Sequence, residues 1–310
     1  MIILIIVCFS VNMKAVVLVL SVSPLVWGHG GMLWPSTWQD AQHQTLETIN
    51  SSTMGSDPAL RDPITGDKIE RNTDFLTDQV FINGYGMEFA GVGETTNPEM
   101  KKGYCGKEKT PWAAPGRAPS LGGGCGLFRG PVMSCKEYDC KAKPRPVFHQ
   151  GASALDIEFP DAATTEWMVG GRHEVAWSTK GRHRGGYTYR LCKIPEEGKK
   201  GLTEECFAEN VLEFATNYTM VRDVTKPGTW EKVEQKDLTQ GTYPAGSAWR
   251  HVVKIVKSGS DAAQMLRKDV VIVPNNLPEG DYVLSFRWDT QAAQVWVSCS
   301  NIKLVLPARK

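Results

Sequence analysis

The chain has 310 residues, a formal charge of +1 and 22% charged side chains, an ordinary composition for a folded protein in contact with water. A charge this close to zero argues against a polyelectrolyte partner, because nucleic-acid binders carry a basic excess or stripe. The length suffices for a sizeable core, in one large domain or two small ones.

Two apolar runs, residues 2–11 and 15–26, open the chain, separated by Asn12-Met13-Lys14. Met13-Lys14 and the apolar residues after it already make a compact secretory signal, so Met13 is a candidate internal start. Val26 and Gly28 stand at the −3 and −1 positions of a cleavage site. Residues 1–28 are therefore expected to be a signal peptide, with residues 29–310 forming one secreted, extracellular domain that has no membrane association once cleaved. An uncleaved anchor is disfavoured, because Lys14 breaks the run and Pro24 follows. Cleavage after Gly28 makes His29 the terminal residue of Trp27-Gly28-His29-Gly30-Gly31, and a terminal histidine offers a metal both its α-amine and its imidazole Nδ1.

Of eight cysteines, Cys8 lies in the leader; Cys105, Cys125, Cys135, Cys140, Cys192, Cys206 and Cys299 remain, an odd number that leaves one without an intramolecular partner. Asn50-Ser51-Ser52 and Asn217-Tyr218-Thr219 are glycosylation sequons, meaningful in an exported protein. Residues 36–148 read as long, cross-linked loop insertions, rich in turn residues and interrupted by Pro111, Pro115 and Pro119. Loops this long are usually functional. One short helix is expected over 34–46, capped by Ser36.

From about residue 152 the pattern becomes all-β. Short alternating segments at 155–159, 173–177, 187–191, 249–256, 268–273, 282–288 and 294–306 are bounded by turn residues. They predict an antiparallel β-sandwich of the immunoglobulin or fibronectin-III kind, with a helical turn somewhere in 203–214. No internal repeat is present. Among the six histidines, His173 and His251 sit on expected strands, whereas His183 lies in a glycine-flanked turn, Lys180-Gly181-Arg182-His183-Arg184-Gly185-Gly186. A ring there either projects from the end of the sandwich, where sites are built, or is simply solvated.

Three segments, in order, resemble the metazoan-type lytic polysaccharide monooxygenases, auxiliary-activity family fifteen, within the chitin-binding type-4 group. They are the His29-Gly30 start; His183-Arg184-Gly185-Gly186-Tyr187-Thr188-Tyr189-Arg190-Leu191-Cys192 with Thr203-Glu204-Glu205-Cys206-Phe207; and the last two strands, ending in Gln294-Val295-Trp296-Val297-Ser298-Cys299. Residues 36–148 match only weakly. The resemblance implies one copper ion per chain held in a T-shaped histidine brace by His29 (α-amine and Nδ1) and His183 (Nε2). Gln294 would orient a copper-bound oxygen species, and Trp296 would stand where the family usually has an axial Tyr or Phe. It implies a Cys192–Cys206 disulfide and a bridge from Cys299 to the loop region.

The implied activity is oxidative cleavage of chitin or cellulose-type β-1,4 glycans by a monomer, with an external electron donor and O₂ or H₂O₂. Trp34, Trp38, Tyr85, Tyr104 and Trp112 are candidates for sugar contact, against the alternative of buried packing. A different class of function, kept open by the tryptophan at position 296 and the weakly matching loops, is a non-catalytic secreted copper-binding or chitin-binding protein; a third is a secreted structural or developmental protein whose terminal histidine is incidental. A hydrolase is disfavoured, since no convincing carboxylate pair is evident.

Overall fold

The computed structural model describes residues 29–38, 80–81, 111–118, 122–129, 151–156, 158–159, 162–180, 184–223, 230–252, 264–291 and 294–308. The leader, Asn50, Tyr85, Tyr104, Cys105, Cys135, Cys140, His43, His149, His183 and most of the expected 34–46 helix lie outside these residues.

The strands in chain order are β1 (His29–Trp34), β2 (Val80–Phe81), β3 (Leu127–Arg129), β4 (Gly151–Ser153), β5 (Thr164–Met168), β6 (Arg172–Lys180) and β7 (Gly186–Lys193). There follow β8 (Glu213–Phe214), β9 (Tyr218–Asp223), β10 (Glu231–Glu234), β11 (Asp237–Leu238), β12 (Trp249–His251), β13 (Gln264–Ile272), β14 (Gly280–Asp289) and β15 (Gln294–Val305). One sheet runs β1-β6-β13-β9-β10, with β8 also on β13; the other runs β11-β12-β7-β14-β15-β2, with β5 also on β15. Both are antiparallel apart from the parallel β5–β15 pair. The molecule is an all-β sandwich, and β3 and β4 form a separate ribbon.

Alternation explains the core. Tyr282, Leu284, Phe286 and Trp288 of β14 meet Trp177 of β6, Tyr187 and Tyr189 of β7 and Trp296 of β15 between the sheets. The rings tilt against one another, as Trp177 does on Phe286 at 4.9 Å and on Tyr187 at 4.4 Å. Each buried aromatic removes about 150–250 Å² from water, worth up to roughly 4–6 kcal/mol at about 25 cal/mol per Å².

The opposite face of the second sheet is also covered. Val283, Cys192 and Cys299 pack under Trp38, Cys125, Phe159 and Phe207. Disulfides Cys125–Cys299 and Cys192–Cys206 join this outer layer to β15 and β7. The helix α1 (Glu204–Glu209) belongs to the same layer, its start capped by Thr203, whose hydroxyl accepts the Cys206 N–H at 3.2 Å.

A buried ionic cluster completes the seam. The Arg287 guanidinium, fully buried, donates to Asp289 Oδ1 (2.7 Å), Glu204 Oε1 (2.7 Å) and the Ala118 carbonyl (2.6 Å). Arg190 pairs with Glu204 and donates to Ser285 Oγ, which itself donates to the Gly124 carbonyl at 2.7 Å. Each charge here meets a counter-charge, which offsets much of the cost of burial, while the buried Arg190 Nε finds no hydrogen-bond acceptor among the described residues.

Three expectations are corrected. Residues 154–156 form a 3-10 turn, and the strand is Gly151–Ser153. Ser153 Oγ accepts the Leu155 N–H at 3.2 Å, a local bond that turns the chain away from the ladder. Trp34 ends β1 rather than opening a helix, because Pro35 behind it has no N–H to give the ladder. The sheets also contain β5, β9 and β10, which the pattern did not announce.

Candidate functional site

One end of the sandwich holds the backbones of two expected site positions, His29 and Gln294. His29 pairs with Lys180 at the end of β6, and Lys180 pairs with Gln264 at the start of β13. In the other sheet, Asp289 at the end of β14 lies opposite Gly186, the start of β7, and Val295, near the start of β15. Residues 181–185 connect Lys180 to Gly186, so the two sheet ends adjoin. β1 is also tied across the sandwich to β15. The Met32 N–H donates to Ser298 Oγ at 3.1 Å, and Ser300 Oγ donates to the Pro35 carbonyl at 3.0 Å.

The backbones of His29 and Gln294 thus lie at this end. His183 itself is outside the described residues, but the turn immediately after it is held on every side. Arg184 has φ +47° and Gly185 φ +85°, both left-handed. A side chain on Gly185 would collide with the Asp289 carbonyl, and one on Gly186 with the Trp112 ring. The Trp288 indole donates to the Arg184 carbonyl at 2.7 Å, and the Val252 N–H to the Gly185 carbonyl at 2.8 Å. Behind the turn, Asp289 is fixed by Arg287 and by the Gly116 N–H at 2.8 Å.

Trp296 is 1% exposed and stacks on Trp288 with ring centroids 6.1 Å apart. It therefore forms the floor beneath this end, in contact with the ring that grips the turn. No group of three or more His, Cys, Asp or Glu side chains suited to a metal occurs among the described residues, where neither His29 nor His183 contributes a described ring.

The other histidines stand elsewhere. His173, at the far end of β6, stacks on Trp167 at 4.8 Å with its Nε2 3.0 Å from the Met168 backbone nitrogen, and burial lowers its imidazole below the ordinary range. His251 stacks on Trp112.

Three of the sugar-contact candidates are buried packing. Trp34 clusters with Leu33, Ala176 and Leu266 of the first sheet, Trp38 lies in the outer layer with Phe159, and Trp112 packs with Leu238 and Trp249. Trp38 donates its indole N–H to Asn301 Oδ1 at 2.8 Å and carries the Lys199 ammonium over its ring. The aromatic that is exposed among the described residues is one the sequence reading passed over: Tyr243, 41% exposed, with the Arg117 guanidinium 5.2 Å from its ring centre. Its N–H donates to the Pro115 carbonyl at 2.8 Å, beside Gly116 and hence close to Asp289. The signal available was Thr242-Tyr243-Pro244-Ala245-Gly246, an aromatic in a turn sequence.

No family model matches the chain, and no curated protein matches it. Among solved structures, it is similar to a lytic polysaccharide monooxygenase of family AA15 from Thermobia domestica in the Cu(I) state (16% identity, TM-score 0.28, covering 54% of this chain and 72% of that one). It is similar to a cellulose-active lytic polysaccharide monooxygenase, CelS2, with copper (11% identity, TM-score 0.33, 89% and 98%). It is also similar to a chitin-binding domain from Burkholderia pseudomallei (13% identity, TM-score 0.31, 90% and 100%). Likeness at this level does not extend to activity or to site residues.

Proposed function

We propose that the chain is a secreted copper-dependent lytic polysaccharide monooxygenase acting on chitin or cellulose-type β-1,4 glycans. The observation that carries the reading is the pairing of His29 with Lys180, three residues before His183, at a sandwich end whose next turn is clamped by Trp288 and Asp289. The donor set fits the metal. An α-amine and imidazole nitrogens suit Cu(II), which tops the divalent affinity series. His29 and His183 would hold it, and bound copper supplies one-electron exchange with an external donor and with O₂ or H₂O₂.

The protein's own part is positional. Trp288 fixes the carbonyl next to His183, and Trp296 closes the interior beneath, excluding water without offering a ligand, since the indole nitrogen carries a proton. Gln294, two residues earlier on the same strand, shares Trp296's side of the ladder by alternation and would orient an oxygen species. Tyr243 and Arg117 offer an aromatic face and a donor fork to a sugar ring. Two disulfides suit an oxidising compartment and a signal peptide over 1–28.

The burial of Trp296 favours a second reading, a secreted protein that binds copper or chitin without oxidising it. A chain beginning at His29, loaded with one equivalent of copper and given ascorbate with chitin or cellulose, separates the two. Oxidised oligosaccharides are expected. Tight copper binding without soluble products favours the second reading, and the absence of any copper preference defeats both. His183→Ala and any extension ahead of His29 should each abolish tight binding. Because the α-amine must lose a proton of reference pKa roughly 7.7–8.0, affinity measured by calorimetry should weaken as pH falls below that range.

A further inference from the structure

We infer that Asn217 carries an N-linked glycan that is attached before β9 docks on β13, and that folding then closes the site to the modifying enzyme. The inference rests on the secretory part of the reading above. Asn217 is exposed at the bend between β8 and β9, where an acceptor amide is free to project. The other half of the sequon is not available. Thr219 is fully buried, and its Oγ1 donates to Asp269 Oδ1 at 2.5 Å; Asp269 Oδ2 accepts the Tyr187 hydroxyl at 2.8 Å.

The backbone on both sides of Asn217 is clamped as well. The buried Arg250 guanidinium donates to the Tyr218 carbonyl (3.1 Å) and the Thr216 carbonyl (2.5 Å) while paired with Asp237 and Asp269. The Asn217 carbonyl accepts the Gln235 N–H at 2.7 Å. A transferase that requires a hydroxyl two residues after the asparagine must reach that hydroxyl, and in the folded chain it is spent on a carboxylate inside the sandwich.

The chemistry is glycosyl transfer from a lipid-pyrophosphate-linked oligosaccharide. The Asn217 amide nitrogen bonds to the anomeric carbon, the carbon–oxygen bond to the pyrophosphate breaks, the lipid pyrophosphate leaves, and the amide proton passes to a base of the transferase.

The location suits a glycosylated surface. β13 begins beside Lys180 and His29 at Gln264, whereas it meets β9 at residues 265–268 and β8 at Val271 and Ile272. The bend joining β8 to β9 is thus about five or six residues along β13, roughly 17–20 Å from the candidate site at about 3.4 Å per residue. The glycan's point of attachment is thus set back from the site end.

The test is the full chain carrying Asn50→Gln, expressed in a secretory eukaryotic cell. Expected is secreted protein with added glycan mass that peptide N-glycosidase removes, leaving aspartate at 217, and no such mass in the Asn217→Gln variant. In a second arm, unglycosylated folded protein and the same protein reduced and unfolded are offered to purified oligosaccharyltransferase with its lipid-linked donor; only the unfolded form should be modified at Asn217. Secreted chain with bare Asn217 overturns the inference alone, as does modification of the folded form at the rate of the unfolded one. A chain retained in the cytosol overturns the secretory reading together with it.

Discussion

Trp288 shows how much one side chain settles. Its ring packs between Trp177 and Trp296 in the core, while its N–H reaches out to the Arg184 carbonyl, so the same residue builds the interior and aims the turn that follows His183. His173 illustrates the opposite case, a histidine with a structural task. Its imidazole is lowered by burial, so as pH falls the unfolded chain takes up a proton at about 6.5 before the folded chain does. The stability it contributes is present above that pH and is lost as pH falls through its folded-state value. His173→Phe keeps a ring on Trp167 and removes the titration. Its melting temperature should therefore fall less than that of the wild type between about pH 7.5 and about pH 5, as followed by circular dichroism.

The strands were readable where alternation meets a local boundary, and less so where a partner is distant. Tyr282-Val283-Leu284-Ser285-Phe286-Arg287-Trp288 alternates as a half-buried strand should, and β14 is there. Ser285 and Arg287, however, face the outer layer rather than water, held by Gly124, Ala118 and Glu204, and no local pattern encodes partners more than eighty residues away. β5 went unread for the same reason, since its ladder partner is β15. At the candidate site, Gly185 and Gly186 signalled a bend in the sequence, but the constraint on Gly185 comes from Asp289. Gly185→Ala therefore tests the turn as an element. It combines a left-handed φ, costing about 1–2 kcal/mol, with a collision against the Asp289 carbonyl. Gly246→Ala, at φ +83° in the turn closed by the Ser247 N–H on the Pro244 carbonyl and with open space around it, should show the backbone cost alone. In chemical denaturation Gly185→Ala should lose clearly more stability than Gly246→Ala.

Across the whole molecule, the two described disulfides close chain lengths of very different size, 174 residues for Cys125–Cys299 and 14 for Cys192–Cys206. On loop-closure grounds a bridge over about 15 residues is worth about 3 kcal/mol and one over more than 100 close to 5. The double variant Cys125→Ser/Cys299→Ser should lose the more stability of the two pairs, read by urea denaturation. The long bridge also ends on β15, which adjoins β14, β2 and β5 and bonds to Met32, Pro35 and Trp38. That strand is the last of the described strands in chain order. Until it emerges, the edge that takes β5 does not exist, Trp288 lacks its stacking partner, and the segment after His29 has nothing to cross to. The sandwich therefore cannot close in the order in which its strands are made; its earlier strands wait for β15.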